Sequence, residues 1–427
     1  MPKKPMKIAS RKRVLRKRPA SCDPNFPLPK KGRARMILKH PASSENAAKE
    51  KQDKKLYKSV PYVRHGQKSQ KSRNDRAHWC CSLADIYSAS EKKLLDMLMD
   101  TGILYKMSHG QCPHCEKGKL SKLVYVKSRD TYFYKCGSRS CRHYIAPHYA
   151  HPVFIVGRGS SAVPLREQAA ALFCAVANVS QAAAHLMTKR NHKFIEGVYD
   201  RFHALQAAYV EKQQMRVRFG QGHDWPDIEA DEVDLRKTIK PEEMGDAEDK
   251  DVHWEQWGGL VERGNPRSLV LMRLKPAITN RRAPGPGAMR KRDWKPIATK
   301  FLKNKQVVLH TDGAKAYKMA IPGVVHDNVV HQKKRVVNGN KVIWKPPNFV
   351  KVVQHTLPNG SKLHVKAGTQ IVDRAWRHIR AHLMGNSSCV ISRALRRRVR
   401  SAQWFYWNRG EDLWKVTGDL ISKSMSS

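Results

Sequence analysis

Acidic residues are scarce: 36 Asp and Glu stand against 82 Lys and Arg in 427 residues, a formal charge of +46. Such an imbalance says nothing about fold, but it makes a polyanion, nucleic acid first, the expected partner. Long apolar runs are missing too. No stretch approaches the roughly 18–20 apolar residues that span a bilayer, and charges stand at the N-terminus where a signal peptide has its apolar core. We therefore expect a soluble, intracellular chain. Cysteine is sparse, and five of the nine, Cys22, Cys80, Cys81, Cys174 and Cys389, follow no framework spacing. That excludes a disulfide scaffold and fits a reducing compartment. Internal repeats are absent, and the length exceeds what one core usually holds, so two or three domains are expected.

What is present is ordered along the chain. Residues 1–78 hold 24 Lys and Arg against 5 Asp and Glu with almost no apolar periodicity, the pattern of a disordered basic arm. Its Arg11–Pro19 stretch has the composition that nuclear import receptors read, or is a solvated charge run. The remaining chain still carries 58 Lys and Arg against 31 acids, so affinity for nucleic acid need not depend on the arm. Residues 79–150 begin with a capping-box pattern, Ser88-x-x-Glu91, ahead of Leu94, Leu95, Leu98 and Met99 at helical spacing. Residues 151–214 read as three helices broken near 178–180, with Ser180 as N-cap, and near 190–192. Their order suits a helix-turn-helix that reads DNA, or ordinary helical packing. Residues 215–427 alternate strands and then helices, the signature of a mixed α/β domain.

Cys112-x-x-Cys115 and Cys136-x₄-Cys141 lie 20 residues apart with strand-like sequence between them. Two tight turns at the ends of a hairpin would aim four thiolates at one Zn²⁺, a closed and therefore structural site. His114 and His143 are alternative ligands. The lysines and arginines around the ribbon suit phosphate contacts.

Three acids stand in unusual settings. Asp312 ends the apolar run Val307-Val308-Leu309, at the carboxyl end of a strand buried on both faces, where open α/β sheets place their ligands. A glycine and a helix-forming run come directly after it, and Asp before Gly is also a common turn choice. Asp231 shares a strand face with Glu229, Val233 and Leu235, and Glu232 and Asp234 are its rivals. Asp373 lies on a helix with Arg377 and Arg380 on its side, while Val372, Ala375, Trp376 and Ile379 supply the apolar contacts. Trp254 and Trp257 read as sheet anchors. Trp404, Tyr406, Trp407 and Trp414 read as core rather than as base-stacking platforms, and Arg377, Arg393, Arg396, Arg397, Arg398 and Arg400 as a basic, salt-sensitive surface.

In this order, a zinc ribbon, a helical segment, "DEV", "TDGAKAY", His331 in "VVHQKK" and an acid-x-x-Trp helix, residues 105–410 resemble the DDE transposases, specifically the ISXO-type insertion-sequence transposases. The resemblance implies a ribonuclease-H-like mixed sheet with helices, preceded by the zinc ribbon and a helix-turn-helix-like segment. It implies that Asp231, Asp312 and Asp373 bind two Mg²⁺ (or Mn²⁺) ions, that Arg380 steadies a phosphate and that His331 lies near the active site. The implied function is cutting and joining double-stranded DNA at transposon ends and target, with a homodimer as the working form and the nucleus as its place in a eukaryote, or the cytoplasm and nucleoid otherwise. Asp373 stands where the family has Glu or Asn, one methylene longer in the case of Glu. The alternatives are a transposase-derived DNA-binding protein without catalysis, and a basic zinc-ribbon RNA-binding factor whose three acids are structural.

Overall fold

The computed structural model describes residues 55–66, 78–157, 162–221, 224–239, 252–280, 282–331, 333–338, 341–384 and 393–425. Arg11–Pro19 and most of the expected arm lie outside them, as do Cys22 and Cys389.

After a helical turn at 55–59, two short helices follow, α1 (Leu83–Ser88) and α2 (Glu91–Asp100). The expected Ser88 capping box is replaced by two caps: Ser82 and Asp85 form a box on α1, and Ser90 accepts from the Lys93 N–H to start α2. Glu91 is thereby freed to accept from Thr131 Oγ1 at 2.8 Å, which ties α2 to the hairpin beyond it. That hairpin and one short strand, β1 (Leu120–Val126), β2 (Thr131–Cys136) and β3 (Tyr144–Ile145), form a three-stranded antiparallel sheet. Three helices come next with the expected breaks, α3 (Leu165–Val176), α4 (Gln181–Thr188) and α5 (His192–Gln214), and Ser180 does cap α4.

A second, six-stranded sheet is built from β4 (Asp227–Ile239), β5 (Val252–Glu262), β6 (Val270–Arg273), β7 (Ala277–Thr279), β8 (Val307–Thr311) and β9 (Val324–Asn328). The strand order is β6-β5-β4-β8-β9, with β7 also on β5. The first three strands form an antiparallel meander, whereas β8 runs parallel to β4 and β9 parallel to β8. The sheet is therefore mixed, as the strand-then-helix pattern indicated.

Strand alternation divides the sheet's surroundings. Ile228, Ala230, Leu260, Val270, Val307 and Leu309 meet Trp294, Ile297, Ala298 and Phe301 of α6 (Lys291–Phe301) in one apolar cluster. The opposite face receives α7 (Gln370–Met384), with α8 (Arg393–Trp407) and α9 (Leu413–Met425) beyond it, and near β8 the hairpin β12–β13 (Lys351–Thr356, Lys362–Ala367). A further hairpin, β10–β11 (Lys334–Asn338, Lys341–Lys345), exposes Val337, Val342 and Trp344.

One continuous core cluster takes in α1 and α2, the ribbon, α3–α5, α7–α9 and a face of the large sheet. The boundaries expected near 150 and 214 are therefore not breaks in packing. Trp257, Trp404, Tyr406, Trp407 and Trp414 are all buried, core residues as read from the sequence. Residues 55–66, expected within the disordered arm, are ordered against the sheet. Arg64 grips Asp227 through Nε at 2.8 Å and also donates to the Trp225 carbonyl, while Tyr62 donates to Glu229 at 2.6 Å. Arg400, expected on a basic surface, is buried and donates to Gln214, Gln403 and the Leu271 carbonyl. It cross-links α5, α8 and the sheet instead.

Candidate metal and acidic sites

The four cysteines converge. Cys112 and Cys141 bring their sulfurs to 3.9 Å, Cys115 and Cys136 to 3.7 Å, and all four Sγ atoms lie within 4.8 Å of one another. Each pair sits in a turn closed by a left-handed residue, Glu116 (φ 55°) after the first and Arg142 (φ 47°) after the second. A Cβ on Gly118 would lie 2.4 Å from Cys136 Sγ, so glycine alone lets the first turn approach the second. Backbone N–H groups of Gly118 and Lys117 lower the Cys115 thiol to about 6, while burial pushes Cys136 up to about 12. A four-sulfur donor set at these separations fits a tetrahedral zinc ion, which would cross-link the two turns and support folding.

The acids come from three elements. Register pairs Asp227 with Val308, Ile228 with Leu309 and Glu229 with His310. The pairing stops there and β8 ends at Thr311; Asp312 follows one residue past the strand, where the same register, extended by two residues, would bring it level with Asp231. Opposite Asp231 on β5 stands Gly259, where a Cβ would lie 2.6 Å from the Trp376 ring. The bare position lets the indole of α7 come close to the sheet and donate from Nε1 to Asp231 Oδ2 at 3.1 Å. Asp373 lies in the first turn of α7, its carboxylate accepting from Thr369 Oγ1 at 3.3 Å. Asp312 Oδ1 accepts from the Ala314 N–H at 2.9 Å, so the turn role weighed from sequence is real. The chain then enters a 3₁₀ turn, Lys315–Lys318, rather than the longer helix expected there.

Burial raises the Asp231 carboxyl well above the usual range, reinforced by the charges of Glu232, Asp373 and Asp312. Asp373 is raised by burial and by Glu229, and moderated by His331 and Arg377. Asp231 thus feels both other acids, whereas Asp373 feels Glu229, and His331 lies beside Asp373. Their oxygens are less tightly gathered than the thiolates: among the described residues, only Cys112, Cys115, Cys136 and Cys141, and separately His114, Cys141 and His143, bring every ligand atom within 4.8 Å. Arg380 reaches away from the acids and donates to the Asp234 carbonyl at 3.3 Å. Two turns of helix separate it from Asp373, and Arg377 is the arginine that acts on that acid.

Several partnerships around the acids leave no local signal in the sequence. Glu232, on the opposite face, accepts from Tyr317 Oη at 2.5 Å and from the Met289 N–H at 2.7 Å, and is raised by burial. Glu229 accepts from the Ile371 and Val372 N–H groups at 2.6 and 2.9 Å, capping α7, and from Arg263 at 2.7 Å. The carboxylate stabilises the positive end of that helix. A buried chain runs beside it across the sheet: Arg64, Asp227, His310, Asp327 and His355 are joined by contacts of 2.8 to 3.0 Å.

The α4–α5 pair has the three-residue connection of a helix-turn-helix, with Lys189 left-handed. Leu186, Met187, His192 and Lys193 are exposed there, whereas Ile195, Val198, Phe202 and Val210 bury the rest of α5. No described helix is long and apolar enough to cross a membrane. No family model matches the chain, and no curated protein matches it.

Proposed function

We propose that the chain cuts and joins DNA strands by metal-dependent phosphoryl transfer, as a DDE transposase whose catalytic sheet is of the ribonuclease-H-like kind. The observation that carries this reading is that the Asp231 carboxyl on β4 is raised by burial and by the charges of Glu232, of Asp373 on α7 and of Asp312 just past β8. Crowded carboxylates of this sort are stabilised by a cation, and an all-oxygen donor set suits Mg²⁺ or Mn²⁺. Held by these three acids, a pair of such ions would activate the attacking oxygen and stabilise the departing one.

The chain's own contribution is positioning. Trp376 orients Asp231, the Ala314 N–H orients Asp312, and Thr369 orients Asp373. Exposed Arg377 and Arg374 on α7 suit the DNA backbone, and the excess of Lys and Arg makes the affinity salt-sensitive. Arg380 remains available to a phosphate only by leaving Asp234.

The test is strand nicking of DNA bearing the element's own terminal repeats, with Mg²⁺ and with Mn²⁺. Asp312→Asn is expected to abolish nicking and keep binding; nicking that survives the substitution defeats the reading. A wild-type chain that binds but nicks with neither ion favours the DNA-binding protein without catalysis, consistent with the short Asp373 side chain.

A further inference from the structure

The zinc ribbon carries two imidazoles that the four-thiolate site does not use. His114 lies inside the first cysteine turn and His143 just past the second. Their rings stack with centroids 3.6 Å apart and 18° between planes. His114 Nδ1 is 3.8 Å from Cys141 Sγ and His143 Nδ1 is 3.6 Å from the same sulfur. Both histidines are exposed, and Cys141 stands between them and the other three cysteines.

These separations have a metric meaning. With Zn–S near 2.3 Å and Zn–N near 2.0–2.1 Å, a tetrahedral ion holds two sulfurs about 3.8 Å apart and a sulfur and a nitrogen about 3.5 Å apart. The sulfur pairs, at 3.7 and 3.9 Å, match the first spacing. The sulfur–nitrogen pairs, at 3.6 and 3.8 Å, lie slightly beyond the second, on the outer side of Cys141. We propose that the ribbon binds a second borderline divalent ion, zinc by its ligand chemistry, through His114, His143 and the Cys141 thiolate, which bridges it to the structural ion.

Three protein ligands leave the fourth position of this outer ion to solvent or to an anionic oxygen. The inner ion has four thiolates and sits in the core, whereas the outer one has two exposed neutral imidazoles and a shared sulfur. It therefore binds more weakly and exchanges faster. His143 Nδ1 also lies 3.2 Å from the Cys141 carbonyl. Binding requires Nδ1 without its proton and the ion in the plane of each ring, so that contact and the ring stacking are both given up and the proton sits on Nε2 in the bound form.

The experiment is a zinc count on the full chain, equilibrated with a metal buffer at stepped free zinc and read by elemental analysis. It compares wild type with the His114→Ala/His143→Ala double variant. The expected result is one additional zinc per chain in wild type, gained at higher free zinc than the inner ion, which is unchanged. Equal counts at every free-zinc level overturn the proposal. Because the comparison is a difference, any ion at the acidic site cancels. Cobalt titration of wild type is the independent check: a second equivalent should add d–d absorption without a second four-thiolate charge-transfer increment. Saturation of the ribbon's spectrum at one equivalent overturns the proposal even if the double variant does not fold.

Discussion

Tyr62 donates its phenolic hydrogen to Glu229 across 2.6 Å, and the same oxygen accepts from the Gln370 N–H at 2.9 Å. Residues 167 positions apart are thereby joined at the start of the helix that carries Asp373. Arg263 completes the junction, its guanidinium 3.9 Å over the Tyr62 ring and bonded to Glu229.

The first prediction separates the two partners of that junction. Tyr62→Phe keeps the ring under Arg263 and removes two hydrogen bonds, a loss of about 1–3 kcal/mol. Glu229→Gln leaves a guanidinium with only 1 % side-chain exposure lacking its counter-charge, and about 3–5 kcal/mol is expected for breaking such a pair. Urea unfolding of both variants measures the order; equal midpoints would mean the buried charge is compensated elsewhere.

A second prediction concerns pH. Burial and Arg263 oppose a charge on His310, but Asp327 and Asp227 outweigh them and raise its pKa. Burial likewise opposes the Asp227 charge, yet His310 and Arg64 bring that carboxyl down to about 2. A raised histidine stabilises fully below its unfolded value of about 6.5 and loses that contribution as pH climbs through its folded value. A depressed aspartate stabilises above its unfolded value of about 3.9 and loses the contribution as pH falls through the folded one. This chain's contribution should therefore be greatest between about pH 4 and 6.5, falling on both sides. His310→Gln should flatten the alkaline limb in thermal melts across pH; an unchanged limb would assign it to other groups.

The third prediction uses the crowding around Asp231. Its folded pKa is raised, so its contribution is most favourable below the unfolded value and is lost as pH rises. Without divalent ions at neutral pH, Asp231→Asn should raise the melting temperature, since the amide oxygen can still accept from Trp376. With Mg²⁺ the order should reverse: an ion at 100 times its Kd adds about 2.7 kcal/mol to a protein that binds it. Calorimetry of both proteins with and without Mg²⁺ decides, and parallel responses would leave the acids without a bound ion.

Zinc removal gives the fourth. Metal binding in small ribbons amounts to about 10–16 kcal/mol, comparable with or above the roughly 5–15 kcal/mol total stability of a domain. Chelation, or Cys112→Ser, should unfold the ribbon outright and free Tyr134, whose side chain is fully buried. Limited proteolysis within 112–145 should accelerate at least tenfold, and an unchanged cleavage pattern would argue that packing alone holds the ribbon.

Local periodicity made much of this legible. The alternation of Glu229, Asp231 and Val233, the apolar run before Asp312, the buried face of α7 and the breaks between α3, α4 and α5 all come from spacing. Relationships with no local trace escaped. Arg64 and Tyr62 find their acids more than 160 residues away, in a stretch whose composition reads as an arm. Arg400 looks like Arg396, Arg397 and Arg398 until α5 and the sheet close over it. Arg380 shares a helical stripe with Asp373, but a stripe does not say which turn meets the other acids; Asp234 takes Arg380. Glu232 points to the face opposite Asp231 and was a rival for its role, and only the fold brings Tyr317 onto it.

Gly258 and Gly259 leave both sides of β5 bare at one level of the sheet, toward Met289 and Ile297 on one side and Trp376 on the other. The layers above and below are consequently spaced by hydrogen atoms rather than by methyl groups. Any side chain appearing at Gly259 would have to lever α7 outward, carrying Asp373 away from the strands while leaving every acidic residue in place. The spacing of the acids is thus governed from a position that bears no functional group at all.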